Sequence, residues 1–124
     1  MFDYGFPYWG ENPPFHAPVF VVTHRGGERI EKAGGTSYTF VTDGIKAAVE
    51  QAVAVAGDRD VLLAGGVSIA RQALAAGLVD EARLHITPVV VGRGISLFGP
   101  SQASLRCVEA SSGENALHLR YVPR

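Results

Sequence analysis

Apolar positions in this chain come in short blocks punctuated by glycine. Val19-Phe20-Val21-Val22-Thr23 is an unbroken β-branched and aromatic run, the pattern of a strand covered on both faces, and His24-Arg25-Gly26-Gly27 ends it. Ser37-Tyr38-Thr39-Phe40-Val41, opened by Gly34-Gly35, predicts a second strand. Thr42 or Asp43 then offers a helix N-cap, and Ile45, Val49, Ala52 and Val53 recur at helical spacing up to Gly57. Val61-Leu62-Leu63-Ala64 predicts a buried strand running straight into Gly65-Gly66 and a helix that carries Ile69, Ala73 and Leu74 on one face. Gly77 stands where a left-handed residue closes a helix, with Leu78 after it for the hydrophobic contact. Ala82 to Val91 reads as strand, and Gly92-Arg93-Gly94 as a tight turn. Leu105–Glu109 and Leu117–Val122 alternate apolar and polar, which suits an antiparallel hairpin turned at Ser111–Asn115. This alternation predicts an α/β domain with a mostly parallel sheet flanked by helices and a closing antiparallel hairpin.

Residues 1–18 break the pattern. Phe2, Tyr4, Phe6, Tyr8, Trp9 and Phe15 are six of the eleven aromatics, interleaved with Gly5, Pro7, Gly10, Pro13, Pro14 and Pro18. Glycine and proline at this density argue against a long helix or a regular strand. The segment is expected to be an irregular aromatic cover, either a packed loop or one wall of a substrate pocket. The length of 124 residues suits a single domain.

Charge and cysteine content narrow the function. The net charge of −1 supplies no basic field for nucleic acid or an anionic membrane. No apolar run approaches the ~20 residues of a membrane span, and no secretory leader opens the chain. The single Cys107 excludes an internal disulfide, suits the cytoplasm, and reads as a small packing residue. His16, His85 and His118 show no metal-ligand spacing, so no metal is expected. Asp80-Glu81 are neighbours that would point apart on a strand, a poor acid–base couple.

The candidate chemistry lies where strands end. Amides at the start of the helix after Gly65-Gly66 lack intrahelical partners, and two residues without Cβ atoms let a diphosphate approach the main chain. Ser68 adds a hydroxyl. Gly-Gly alone fits a plain strand-to-helix turn better than a phosphate site. Thr23-His24-Arg25, at the end of the first strand, supplies a hydroxyl, an imidazole and a guanidinium. Ligands bind beyond the C-terminal ends of strands in open parallel sheets. Thr23 and Arg25 on the same edge as Gly65-Gly66 favour a phosphate site.

The run Leu62-Leu63-Ala64-Gly65-Gly66-Val67-Ser68-Ile69-Ala70-Arg71-Gln72-Ala73-Leu74 continues through Gly77-Leu78-Val79-Asp80-Glu81, Pro88-Val89-Val90-Val91-Gly92-Arg93-Gly94 and Leu97-Phe98. With this pattern the chain resembles the C-terminal reductase domain of the bifunctional riboflavin-biosynthesis deaminase/reductase, a member of the dihydrofolate-reductase-like superfamily. The resemblance covers about residues 19–122. It implies a dihydrofolate-reductase-like fold that binds NADPH. Gly65, Gly66, Val67, Ser68 and Ile69 would face the diphosphate, Thr23, His24 and Arg25 the adenosine 2′-phosphate, and Val41 and Thr42 the adenine. Asp80-Glu81 and Gly92-Arg93-Gly94 would be structural turns. The implied activity is that of an NADPH-dependent 5-amino-6-(5-phosphoribosylamino)uracil reductase, with no catalytic residue assigned. Members of the family begin with a further strand and helix, so the resemblance also implies an N-terminally incomplete domain. Its open sheet edge predicts a homodimer. The alternatives are a non-catalytic nucleotide-binding or interaction module derived from that fold, or a shortened product without function.

Overall fold

Phe2, Phe6 and Trp9 fall at positions i, i+4 and i+7, and this spacing folds the aromatic segment into helix α1 (Phe2–Trp9) rather than an irregular cover. The computed structural model describes residues 1–100 and 102–124. The three rings lie on one face of α1 against Tyr38, with centroids 5.3, 5.5 and 6.0 Å from its ring. Tyr4 and Tyr8 face solvent. Gly5 is required by packing, because a Cβ there would run into the Trp9 indole. The helix survives Pro7 because it is short and held by aromatic contacts.

The chain divides into two compact units, residues 1–69 and 70–124. In the first, β1 (Pro18–Val22) pairs in parallel with β3 (Ser37–Val41), and the short β2 (Ile30–Glu31) pairs antiparallel on the other side of β3. A 3-10 turn (Ala33–Gly35) links β2 to β3. The polar chain around it is tied down locally. The Thr36 hydroxyl donates to the Phe15 carbonyl, and the Lys32 ammonium reaches Glu11 at 2.8 Å. Helix α2 (Ile45–Ala56) packs on β1, with Ala48 buried and Ile45, Val49 and Ala52 half-buried. Val53 faces solvent. The expected caps Thr42 and Asp43 are not used: Gly44, at φ 93°, occupies the N-cap without a side-chain hydrogen bond.

The sheet is not mostly parallel. Among the described residues β1–β3 is the one parallel pair. The expected third strand, Val61–Ala64, is outside the ladders, and Leu62 is 86% exposed. A strand exists only through a neighbour's N–H and C=O groups, and no described segment pairs with this run.

Helix α3 (Val67–Ala75) spans the boundary between the units. Its end has the expected left-handed closure. Gly77 adopts φ 68°, its N–H donates to Leu74 O at 3.1 Å, and Leu78 N–H reaches Ala73 O at 3.0 Å. In the second unit the Arg71 guanidinium donates to the carbonyls of Leu97 and Ser96. There β4 (Ala82–Ile86), β6 (Leu117–Pro123) and β5 (Leu105–Ser112) form an antiparallel sheet in that order. The hairpin is as expected. The strand expected up to Val91 stops at Ile86, where pairing to Leu117 ends. A register shift between Cys107 and Glu109 turns the Cys107 thiol outward, so it is exposed rather than a packing residue.

Charge organises this sheet. Arg83 and Arg120 are directly opposite, a like-charge pairing that would weaken it. Glu81 offsets the repulsion by accepting from Arg83 at 2.6 Å and Arg120 at 3.1 Å, while Glu109 holds Arg120 at 3.0 Å. Hydrogen bonds from Arg83 and Arg120 hold the Glu81 carboxyl below the usual carboxylate range, and the same network pushes Arg120 up.

Candidate functional site

Because β1 and β3 run parallel, their C-terminal ends share one edge. Thr23 extends that edge by donating its N–H to Val41 O at 3.1 Å. Its hydroxyl then accepts the Arg25 N–H at 3.1 Å, which fixes the turn and directs His24 and Arg25 into solvent. Thr42 stands beside this turn, its methyl 3.9 Å from a Cβ placed on Gly26. Thr23, Arg25 and Thr42 therefore stand around one turn at this edge. Val41 is buried, so it offers backbone only. The next residues lead into α2, whose first-turn amides have no side-chain cap.

The glycine pair adopts a backbone that other residues rarely reach. Gly65 and Gly66 have φ 79° and 81°, and both are exposed. They deliver the chain into α3, where Val67 and Ile69 are half-buried and Ser68 is exposed. A Cβ on Gly66 would meet Ile69 at an ordinary 3.7 Å, so Ile69 packs against the turn and offers its amide alone.

Helix α1 touches both groups. The Met1 thioether lies where a Cβ of Gly65 would stand. Asp3, two residues on, accepts from Arg25 Nη2 at 2.6 Å. Two residues of helix advance only about 3 Å along the axis. Arg25 and Gly65 therefore each contact the N-terminal end of α1, Arg25 through Asp3 and Gly65 through the cap residue Met1. A guanidinium, a hydroxyl and glycine amides so arranged can hold phosphate oxygens by charge-assisted hydrogen bonds.

The structure also joins residues the sequence left scattered. His85 and His118 are direct cross-strand partners on β4 and β6, with Nδ1 atoms 2.6 Å apart. Only the strand register, invisible in the spacing, could have revealed this. No group of three metal-binding side chains occurs among the described residues. No helix there is long and apolar enough to cross a membrane.

The model of the RibD C-terminal domain family matches residues 8–119. The chain belongs to that family. No curated protein matches it. Among solved structures, this RibD C-terminal domain is similar to a protein from Shewanella sp. PV-4 described as belonging to riboflavin biosynthesis. The TM-score is 0.74 and the identity 20%, over 96% of this chain and 67% of that one. It is also similar to a pyrimidine reductase-like protein from Corynebacterium diphtheriae, with a TM-score of 0.57 and 22% identity, over 74% of this chain and 40% of that one. These likenesses show a mixed α/β fold shared with the two solved structures, built here from two three-stranded sheets.

Proposed function

We propose that this RibD C-terminal domain binds NADPH and forms the cofactor-holding part of a reductase of the riboflavin-biosynthesis type, with a dihydrofolate-reductase-like arrangement. The observation that carries the reading is a common neighbour. Arg25, fixed by Thr23, and Gly65 of the left-handed Gly65-Gly66 turn each contact the N-terminal end of α1. Gly65, Gly66 and the first amides of α3 (Val67, Ser68, Ile69) would hold the diphosphate. Thr23, His24 and Arg25 would hold the 2′-phosphate, and Thr42 with the Val41 backbone would lie near the adenine. Bound nicotinamide supplies the hydride, while the protein binds and orients it.

A pyrimidine substrate is in keeping with the family match and with the solved neighbour described as pyrimidine reductase-like. The test is calorimetric titration with NADPH and NADH, followed by NADPH oxidation with 5-amino-6-(5-phosphoribosylamino)uracil. NADPH is expected to bind more tightly than NADH, and Arg25→Gln to lower NADPH affinity about tenfold, the worth of one charge-assisted contact. Equal affinity for the two cofactors would remove the 2′-phosphate assignment.

The second reading is a nucleotide-binding module without turnover. Binding without oxidation supports it. The same proposal includes self-association through exposed apolar segments and a cytoplasmic setting, in keeping with the free thiol of Cys107.

A further inference from the structure

Helix α1 makes two contacts with the proposed cofactor edge, and each resembles the contact a dinucleotide would make there. The Asp3 carboxylate lies 2.6 Å from Arg25 Nη2, the position of a phosphate oxygen in the reading above. The Met1 thioether covers Gly65, the point at which a diphosphate would meet the main chain. The N-terminal end of α1 thus fills the anion position and the close-approach position together.

We propose that helix α1, through Asp3 and its cap residue Met1, is a built-in competitor that must lift off Arg25 and Gly65 before the cofactor binds; this rests on the NADPH reading. The contacts are of a kind that can be exchanged. Arg25 and Asp3 are 74% and 65% exposed in their side chains, so their ion pair is weak. The rest of the docking is aromatic: Phe2 packs edge-on against Tyr38 and Phe40, at 5.3 and 5.2 Å between ring centroids. Trp9 lies parallel to Tyr38. Release of α1 therefore moves the only tryptophan of the chain from a stacked, half-buried position into water. A ligand that binds only the released form has its affinity reduced by the fraction of molecules released. Weakening the dock must then tighten binding.

The experiment is calorimetric titration of the full chain with NADP+, for wild type, Asp3→Asn and Phe2→Ala, with Trp9 emission followed on excitation at a wavelength the cofactor barely absorbs. Asp3→Asn removes the stand-in carboxylate. Phe2→Ala loosens the helix without changing charge, which separates displacement from simple repulsion of phosphate. Asp3→Asn is expected to bind about threefold more tightly than wild type, the scale of a weak exposed pair, and Phe2→Ala at least as much more tightly, because it loosens the aromatic dock. Wild-type Trp9 emission is expected to shift to the red on saturation. Tightening by Asp3→Asn alone, with Trp9 emission unmoved, would overturn the competitor and leave the NADPH reading standing. Unchanged affinity in both variants would do the same. Absence of binding in all three proteins would overturn the NADPH reading and the competitor with it.

Discussion

The indole of Trp9 lies parallel to the ring of Tyr38, with planes 4° apart and centroids 6.0 Å apart. This stack, with Phe2, Phe6 and Phe15 around the same ring, is the centre of the first unit. Trp9→Ala removes the largest contributor to it. The expected loss is about 2 kcal/mol in unfolding free energy, below the full cost of a core aromatic because Trp9 is half-buried. Chemical denaturation followed by circular dichroism measures it. A change near zero would mean that α1 adds nothing to the unit.

The Tyr38 hydroxyl is buried and makes no hydrogen bond among the described residues, and burial pushes the phenol up from its usual value. An unpaired buried hydroxyl carries its desolvation cost without compensation. Tyr38→Phe keeps the ring contacts and is expected to raise stability by about 1 kcal/mol. A loss of similar size would reveal a hydrogen-bond partner for that oxygen.

Gly66 sits at φ 81° with only ordinary contact to Ile69, so its requirement for glycine is conformational. Gly66→Ala is expected to cost about 1 kcal/mol, the penalty of a Cβ in the left-handed region. Thermal denaturation measures that cost. NADPH affinity should fall together with it, since the turn presents the amides of α3. A variant as stable as wild type would show that the turn relaxes freely.

Glu81 contributes to the acid response of the second unit. Its folded carboxyl is held below the ordinary value by Arg83 and Arg120. The group therefore stabilises the fold above the unfolded carboxylate range, and this contribution is lost as pH falls through the lowered folded value. Glu81→Gln is expected to lower the melting temperature at neutral pH and to flatten its decline below pH about 5. Melting curves across the acid range measure this. Parallel curves for variant and wild type would remove Glu81 from the account.

Val90 is 96% exposed, and Val89, Val91 and Ile95 stand out beside it. Aliphatic surface of this kind is expected to drive self-association. Light scattering after size exclusion should give a dimer, and Val90→Lys should shift the population toward monomer. A stable monomer of the unaltered chain would contradict the expectation.

Much of this fold was legible in the sequence where the determinants are local. The β-branched runs at Val19–Val22 and Ser37–Val41, the glycine closure at Gly77 and the terminal hairpin all follow from short-range rules. What was not legible depends on partners distant in the chain. Val61–Ala64 has the composition of a strand but no neighbour among the described residues to pair with, and β4 ends at Ile86 because its partner β6 begins opposite it, at Leu117. The density of glycine and proline around Gly5 and Pro7 hides the helical spacing of Phe2, Phe6 and Trp9, though Gly5 is what lets Trp9 fold back on the helix. Thr23, Arg25 and Gly65-Gly66 were readable as types. Their occupation by Met1 and Asp3 was not, because it depends on a helix the sequence rules argued against.

The most direct test of the cofactor edge is the amide spectrum of the nitrogen-15-labelled chain during titration with NADPH. The expected result is a set of saturable shifts at Thr23, Arg25, Gly65, Gly66 and Ser68. Shifts confined to other residues, or a spectrum that does not change, would contradict the account.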